Sequence, residues 1–237
     1  MSHTSQRRGL DPANPGKEII VLAMVPNEHK DRDGVGAAMG ELALKMLEHE
    51  PHNWLSKNFN EITIPKLGPA QVPVKWISGR WPEATQRLLM RGVGYLSSVV
   101  TAVYTNPQNV ADLITDIKGE WLANNKEKGL PISIVLSGLF DDVYECCKKT
   151  GSEEHTYLHS LGFFGKLEDL PSPEELEIVT MCGHGLVSVN RVRDLVDKIK
   201  QEKITPGQAA QNVARPCVCG IVNKERAIEV FHRLAGK

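Results

Sequence analysis

The sequence lacks the features that mark membrane, secreted and nucleic-acid-binding proteins. No stretch approaches the roughly 18–20 consecutive apolar residues that a membrane span requires. No hydrophobic run follows the arginines near the start of the chain, so a secretory signal is not predicted. The net charge is −1, whereas a protein that binds phosphate backbones usually presents a basic surface. We therefore expect a cytoplasmic protein with no membrane or nucleic-acid partner.

Aromatic residues and cysteines are also few. Aromatics make up 5% of the 237 residues, so aliphatic side chains must fill most of the core. The five cysteines are an odd number in a chain that is not small, which argues against a disulfide framework. Clustered cysteines in a reducing compartment more often indicate a metal site or catalysis.

The apolar patterns predict an α/β fold. Continuous apolar runs at 18–25 and 130–138 have the length of buried strands, and each is followed by a helical pattern. Residues 81–104 are predicted to form one long helix. Alternating strands and helices favour a parallel sheet, so we expect a short, mostly parallel sheet flanked by helices.

The last third of the sequence predicts a helical part that carries the cysteine motifs. Helices are expected at about 188–202, 205–214 and 223–235, and a short strand at 177–182 is expected to deliver Cys182. Capping-box patterns begin at Ser172 and Thr205. No internal repeat is evident. The predicted organisation is a flexible N-terminal tail (1–17), an α/β domain (18–171) and a helical C-terminal subdomain packed on it (172–237).

Two glycine-flanked motifs carry the chemistry. They are "TMCGHGLVSVNRV" (180–192) and "ARPCVCGIVNKERA" (214–227). The two helices predicted between them form a hairpin, which would bring the motifs together. The converging side chains that can bind a metal are then Cys182, His184, Cys217 and Cys219. This set suits a Cys3His zinc site or an iron–sulfur cluster. The backbone N–H groups of Gly183, Gly185 and Gly220 are expected to contact the cofactor.

Two alternatives remain. Both motifs precede helices, whose N-termini lower thiol pKa values, so two facing thiols could act as acid and base without a metal. Residues 181–185, "MCGHG", resemble the motif around one catalytic cysteine of the proline racemase and epimerase family. The resemblance implies an acid/base role for Cys182 in a cofactor-independent isomerase, but it covers five residues and we treat it as local convergence.

The second alternative to a metalloenzyme is a non-catalytic metal carrier or sensor that transfers metal through the C-x-C pair.

Other cysteines and histidines form weaker candidates. Cys146 and Cys147 are adjacent on a predicted helix and therefore point about 100° apart, so they do not suit one ion together. One of them is expected in the core, and the other is expected to complete the metal site as a further thiolate ligand. His155 and His159 stand four apart, as paired metal ligands do, but no third ligand accompanies them. We interpret the two histidines as ordinary surface residues.

The sequence as a whole predicts a cytoplasmic metalloenzyme. Its first-choice cofactor is an iron–sulfur cluster and its second is zinc, bound by Cys182, Cys217, Cys219 and His184. We expect Cys182 and His184 to be catalytic in lyase or oxidoreductase chemistry on a small-molecule substrate. Assembly into a homo-oligomer is compatible with the sequence.

Overall fold

The computed structural model describes residues 7–30, 32–54, 63–64, 68–69, 99–154, 156–158, 162–217 and 220–236. The first part of the chain forms strand β1 (Ile19–Met24), a 3-10 turn (Asn27–His29), helix α1 (Val35–Glu48) and the two-residue strands β2 (Asn53–Trp54), β3 (Thr63–Ile64) and β4 (Gly68–Pro69). The middle forms strand β5 (Val99–Tyr104), helix α2 (Pro107–Asp116), a π-helical turn (Ile117–Trp121), helix α3 (Leu122–Glu127), strand β6 (Ser133–Ser137) and helix α4 (Phe140–Thr150). The last part forms a 3-10 turn (Leu167–Asp169) and helices α5 (Pro173–Thr180), α6 (Val189–Lys200), α7 (Pro206–Ala214) and α8 (Lys224–Ala235).

The main sheet is antiparallel, so the prediction of a mostly parallel sheet is wrong. Its strand order is β2-β5-β1-β6, and β1 pairs antiparallel with both β5 and β6. Strands β5 and β6 run in the same direction and are connected through helices. However, β1 lies between them and runs the opposite way. Sequence order alone does not show that an earlier strand has inserted between two later ones.

Strand β5 corrects a second expectation, because it occupies the end of the helix predicted at 81–104. Its segment, "VVTAVY", is rich in β-branched residues, and all but the first are buried. A short, fully buried apolar run does not distinguish a strand from a buried helix by periodicity. Residues 70–98, which contain the rest of that predicted helix, lie outside the described part of the chain.

The sheet separates two hydrophobic clusters. Alternate residues of β1, including Ile19 and Val21, pack with α1 and α2 on one face. Ile20 of β1 and Val103 of β5 pack on the other face with α5–α8. Because side chains alternate across a strand, a strand buried on both faces has the continuous apolar sequence seen here. The helices that carry the cysteine motifs therefore pack directly on the sheet.

The C-terminal helices begin where their capping residues predict. Capping boxes at Ser172 with Glu175, and at Thr205 with Gln208, are confirmed in both directions of hydrogen bonding. Each box satisfies two backbone N–H groups that a helix start leaves unpaired. The strand expected at 177–182 is wrong, because residues up to Thr180 continue α5 as a helix.

The helices are short. The longest described α-helix, α1, has 14 residues, and α6 and α8 have 12 each. Within the described ranges, no helix is long and apolar enough to cross a membrane.

Candidate functional site

Cys182 and Cys217 each occupy the first position of a four-residue turn that ends in glycine. The Gly185 N–H donates to the Cys182 carbonyl oxygen over 3.0 Å, and the Gly220 N–H donates to the Cys217 carbonyl oxygen over 3.2 Å. The two glycines have φ values of +67° and +65°. Side-chain-bearing residues rarely adopt this conformation, so glycine at the fourth position lets each turn close.

The turns belong to two matching helix–turn–helix units. The first cysteine unit comprises residues 172–200 (α5, the 182–185 turn and α6), and the second comprises residues 205–235 (α7, the 217–220 turn and α8). Each unit begins with a capping box and a proline. In each, the N-cap of the second helix, Ser188 or Asn223, follows the cysteine by six residues, and that helix has 12 residues.

This internal repeat was missed in the sequence, although its signal is present there. Aligning Cys182 with Cys217 also aligns Gly185 with Gly220. Buried apolar positions of α6 and α8 then coincide, in the pairs Val192 with Ala227, Leu195 with Val230, and Val196 with Phe231. The two units therefore bury equivalent faces, and each brings one cysteine to the space between them.

The two cysteine side chains meet. A hydrogen bond joins the thiols of Cys182 and Cys217, which are 3% and 0% exposed. Neither cysteine forms a disulfide bond. The structure thus brings together two of the four predicted metal ligands, one from each unit.

The surroundings of Cys182 favour its thiolate form. The hydrogen bond from Cys217 is the largest cause, and backbone N–H groups of Leu186 and His184 donate to the same sulfur. Together they lower the pKa of the Cys182 thiol to about 5, against the opposing effect of burial. Hydrogen bonding to the charged form of an acid stabilises that form. The turn therefore directs several hydrogen-bond donors at the sulfur of a buried thiolate.

The remaining predicted site residues lie around this pair or outside the described chain. His184 is exposed at the third position of the first turn and exerts a charge effect on Cys182. Gly183 is half-buried beside it. Cys219, at the equivalent third position of the second turn, lies outside the described residues. Among the residues that are described, no group of three or more His, Cys, Asp or Glu side chains is arranged to hold a metal ion.

Cys146 and Cys147 are not part of this site. Cys146 is buried in the hydrophobic cluster on the opposite face of the sheet, and Cys147 is half-buried on the same helix, α4. Burial raises the pKa of both thiols, to about 11 for Cys146. His155 and His159 lie outside the described residues.

A buried charged network adjoins the cysteine turns, and sequence reasoning missed it. Glu18, directly before β1, has a side chain that is 0% exposed and accepts hydrogen bonds from Arg7, Asn223 and Arg226. Two arginines and one amide hold the pKa of this carboxyl below its usual value although burial opposes them. The sequence position of Glu18 could have indicated the network, because a carboxylate at the start of a buried apolar strand needs a partner. The position of Arg7 gave no such indication, because it falls in the segment predicted to be a tail.

Comparisons with protein-family models, with curated proteins and with solved structures found no match to this chain.

Proposed function

We propose that the two cysteine turns form a thiolate-ligated metal centre, with Cys182 and Cys217 as ligands. The observation that carries this proposal is the meeting of the two buried thiols from two matching turns. A cysteine binds a metal as its thiolate, and the N–H donors around Cys182 stabilise that form. Buried thiols that serve only as core residues do not require such donors.

The repeat supplies the rest of the proposed ligand set. Counting from each cysteine, the third position of the first turn is His184 and that of the second is Cys219. Side chains that can bind a metal thus stand at the first and third positions of both turns. Three thiolates and one imidazole match a tetrahedral zinc site, or an iron–sulfur cluster with one differing ligand. We retain the cluster as first choice and zinc as second.

The proposed use of the centre is catalytic. His184 is exposed next to the buried Cys182, so its side chain can exchange protons with solvent or substrate. A lyase or oxidoreductase reaction on a small molecule would use the centre to polarise or reduce the substrate and His184 to move a proton. A reducing, cytoplasmic compartment would keep these thiols available for metal.

Metal analysis of anaerobically purified protein tests the proposal. We expect bound iron with acid-labile sulfide and visible cluster absorbance, or bound zinc in a colourless protein. Cys182→Ser and Cys217→Ser should each abolish stoichiometric binding. Cys147→Ser is the matched control, because that half-buried cysteine lies on α4, outside the site, and its replacement should leave binding intact.

Two outcomes would contradict the proposal. Wild-type protein that remains metal-free after reconstitution with iron and sulfide, and with zinc, would remove the centre. Full metal occupancy in both Cys182→Ser and Cys217→Ser would remove these cysteines as ligands. Cys219→Ser and His184→Ala then report whether the third positions complete the set.

One observation favours a second candidate, a metal-free acid/base isomerase. The lowered pKa of Cys182 beside the thiol of Cys217 provides one thiolate and one thiol, the two protonation states that an acid/base pair needs. Such an enzyme would exchange the α-hydrogen of a chiral substrate with solvent deuterium without bound metal. Loss of that exchange on treatment with a chelator would exclude this candidate.

A further inference from the structure

The guanidinium group of Arg7 bridges the two cysteine turns. Its Nη1 donates to the carbonyl oxygen of Met181 over 2.6 Å and to that of Ile221 over 3.0 Å. Met181 directly precedes Cys182, and Ile221 directly follows Gly220. One nitrogen therefore fixes the backbone at the start of the first turn against the backbone at the end of the second.

The other two nitrogens of the same guanidinium contact Glu18, at the start of the central strand of the sheet. Its Nε donates to Glu18 Oε1 over 2.8 Å. Its Nη2 lies 2.7 Å from the same oxygen, at ion-pair distance, but makes no hydrogen bond among the described residues. Since Glu18 directly precedes β1, Arg7 connects both turns to the central strand of the sheet.

The network around Arg7 contains more positive than negative charge. The cations Arg7, Arg226 and Arg233 share the two carboxylates of Glu18 and Glu177, in contacts of 2.5–3.2 Å. Arg7 and Arg226 are nearly fully buried, with side chains 2% and 8% exposed. Buried charge is costly unless it is compensated. An adjacent anion would therefore be stabilised by this network.

Cys217, which begins the second turn, is the nearest proposed source of such an anion that the pKa of Arg7 responds to. A negative charge on its sulfur would raise the pKa of Arg7, opposing the lowering that burial causes. A site with three thiolates, one neutral imidazole and one divalent metal carries a net charge of −1. That charge would balance the excess of one cation in the network.

We infer that Arg7 is a positioning residue for the cysteine site, whose guanidinium holds the two turns at a fixed separation. The inference rests on the proposed function for its account of a metal. The bridging itself concerns the two thiols and applies with or without metal.

The test compares three variants of the full chain in chelator-treated protein. Arg7→Met removes the charge and both bridging contacts at similar side-chain length. Arg7→Lys keeps the charge, but one ammonium group does not reproduce the fork that reaches both carbonyls and Glu18. Arg8→Ala is the matched control, because only the backbone of Arg8 contacts Thr180 and Arg226, while its side chain stacks on Phe163.

The readout is the alkylation rate of each cysteine at one fixed pH, measured by mass spectrometry. In Arg7→Met we expect Cys182 and Cys217 to react about tenfold faster than in wild type, because the turns open locally. Arg7→Lys should not restore the protection, because a single ammonium group cannot replace the guanidinium fork. Arg8→Ala should leave both rates at their wild-type values.

Cys147 serves as an internal standard for general loosening of the fold. Equal acceleration of Cys147 and the site cysteines in Arg7→Met would overturn the inference, as would unchanged alkylation rates at the site. If Arg7→Met does not fold, Arg7→Lys alone decides through the predicted loss of protection. Wild-type protein without metal would contradict the proposed function, while the alkylation results would still decide the role of Arg7.

Discussion

Cys146 of α4 and Cys182 of the first cysteine unit are equally buried, each 3% exposed, yet their thiols differ greatly in acidity. Burial raises the pKa of Cys146 to about 11. The hydrogen bond from Cys217 and the backbone N–H groups of the turn lower that of Cys182 to about 5. Burial is the same in the two places, so hydrogen-bond donors account for the difference.

The secondary structure explains where those donors come from. Cys146 lies inside a helix, where backbone N–H groups are consumed by carbonyl groups one turn earlier. Cys182 begins a turn in which the N–H groups of His184 and Leu186 are directed at its own sulfur. A buried cysteine in a helix behaves as a small apolar residue. The same residue at the start of a glycine-closed turn becomes a buried anion.

The largest expected effect is the contrast between these two thiols in metal-free protein. Alkylation of Cys182 should stay level over the neutral range and fall only as the pH drops through about 5. Alkylation of Cys146 should keep rising up to a pH of about 11. Because lower-pKa thiolates are also weaker nucleophiles, we expect an advantage for Cys182 of about tenfold or more at neutral pH. Mass spectrometry of each cysteine measures both profiles.

Removing the hydrogen bond that the Cys217 thiol donates should reduce the difference in pKa between Cys182 and Cys146. Cys217→Ala takes away the largest cause of the lowered pKa, so the midpoint for Cys182 should move upward. Cys146→Ala is the control and should leave that midpoint in place. Identical Cys182 profiles in both variants would show that the thiol–thiol hydrogen bond does not determine the acidity.

The next effect in size compares the two N-caps. Asn223 caps α8 and also donates to the buried Glu18 over 2.9 Å, whereas the exposed Ser188 only caps α6. We expect Asn223→Ala to lower the free energy of unfolding by about 2–3 kcal/mol and Ser188→Ala by about 1 kcal/mol. Urea denaturation measures both. Equal losses would mean that the amide bond to Glu18 adds nothing to stability.

The smallest effect concerns the glycines that close the two turns. Gly185→Ala and Gly220→Ala should each destabilise the protein by about 1 kcal/mol, because alanine disfavours their positive φ. Gly207 lies in α7 without positive φ, so Gly207→Ala should be neutral or stabilising. Thermal unfolding detects these shifts. A neutral Gly220→Ala beside a destabilising Gly185→Ala would show that the two turns are not equivalent.

Local sequence signals predicted the helical part of the molecule well. The capping boxes at Ser172 and Thr205 act within one helical turn, so they can be read directly from the sequence. The approach of Cys182 and Cys217 was also predictable, because a helical hairpin returns the chain to its starting point. Whether Cys219 and His184 complete a metal site remains a prediction.

Long-range pairing was not predictable in the same way. The insertion of β1 between β5 and β6 depends on contacts between distant segments, and the apolar run of β5 fits a helix as well as a strand. The role of Arg7 depends on the position of carbonyl groups more than 170 residues away. Backbone carbonyls have no sequence signature, so a side chain that binds them cannot be identified from the sequence alone.

The bridge made by Arg7 has a consequence for the order in which the protein matures. Its two carbonyl partners lie 174 and 214 residues further along the chain. The ribosome therefore synthesises Arg7, Glu18 and Cys182 before Cys217 and Ile221, which complete the site. Long-range contacts of this kind form late in folding. The two cysteine turns can be joined by Arg7 only after the segment through Ile221 has been synthesised, so incorporation of any metal is expected to follow synthesis of the second turn.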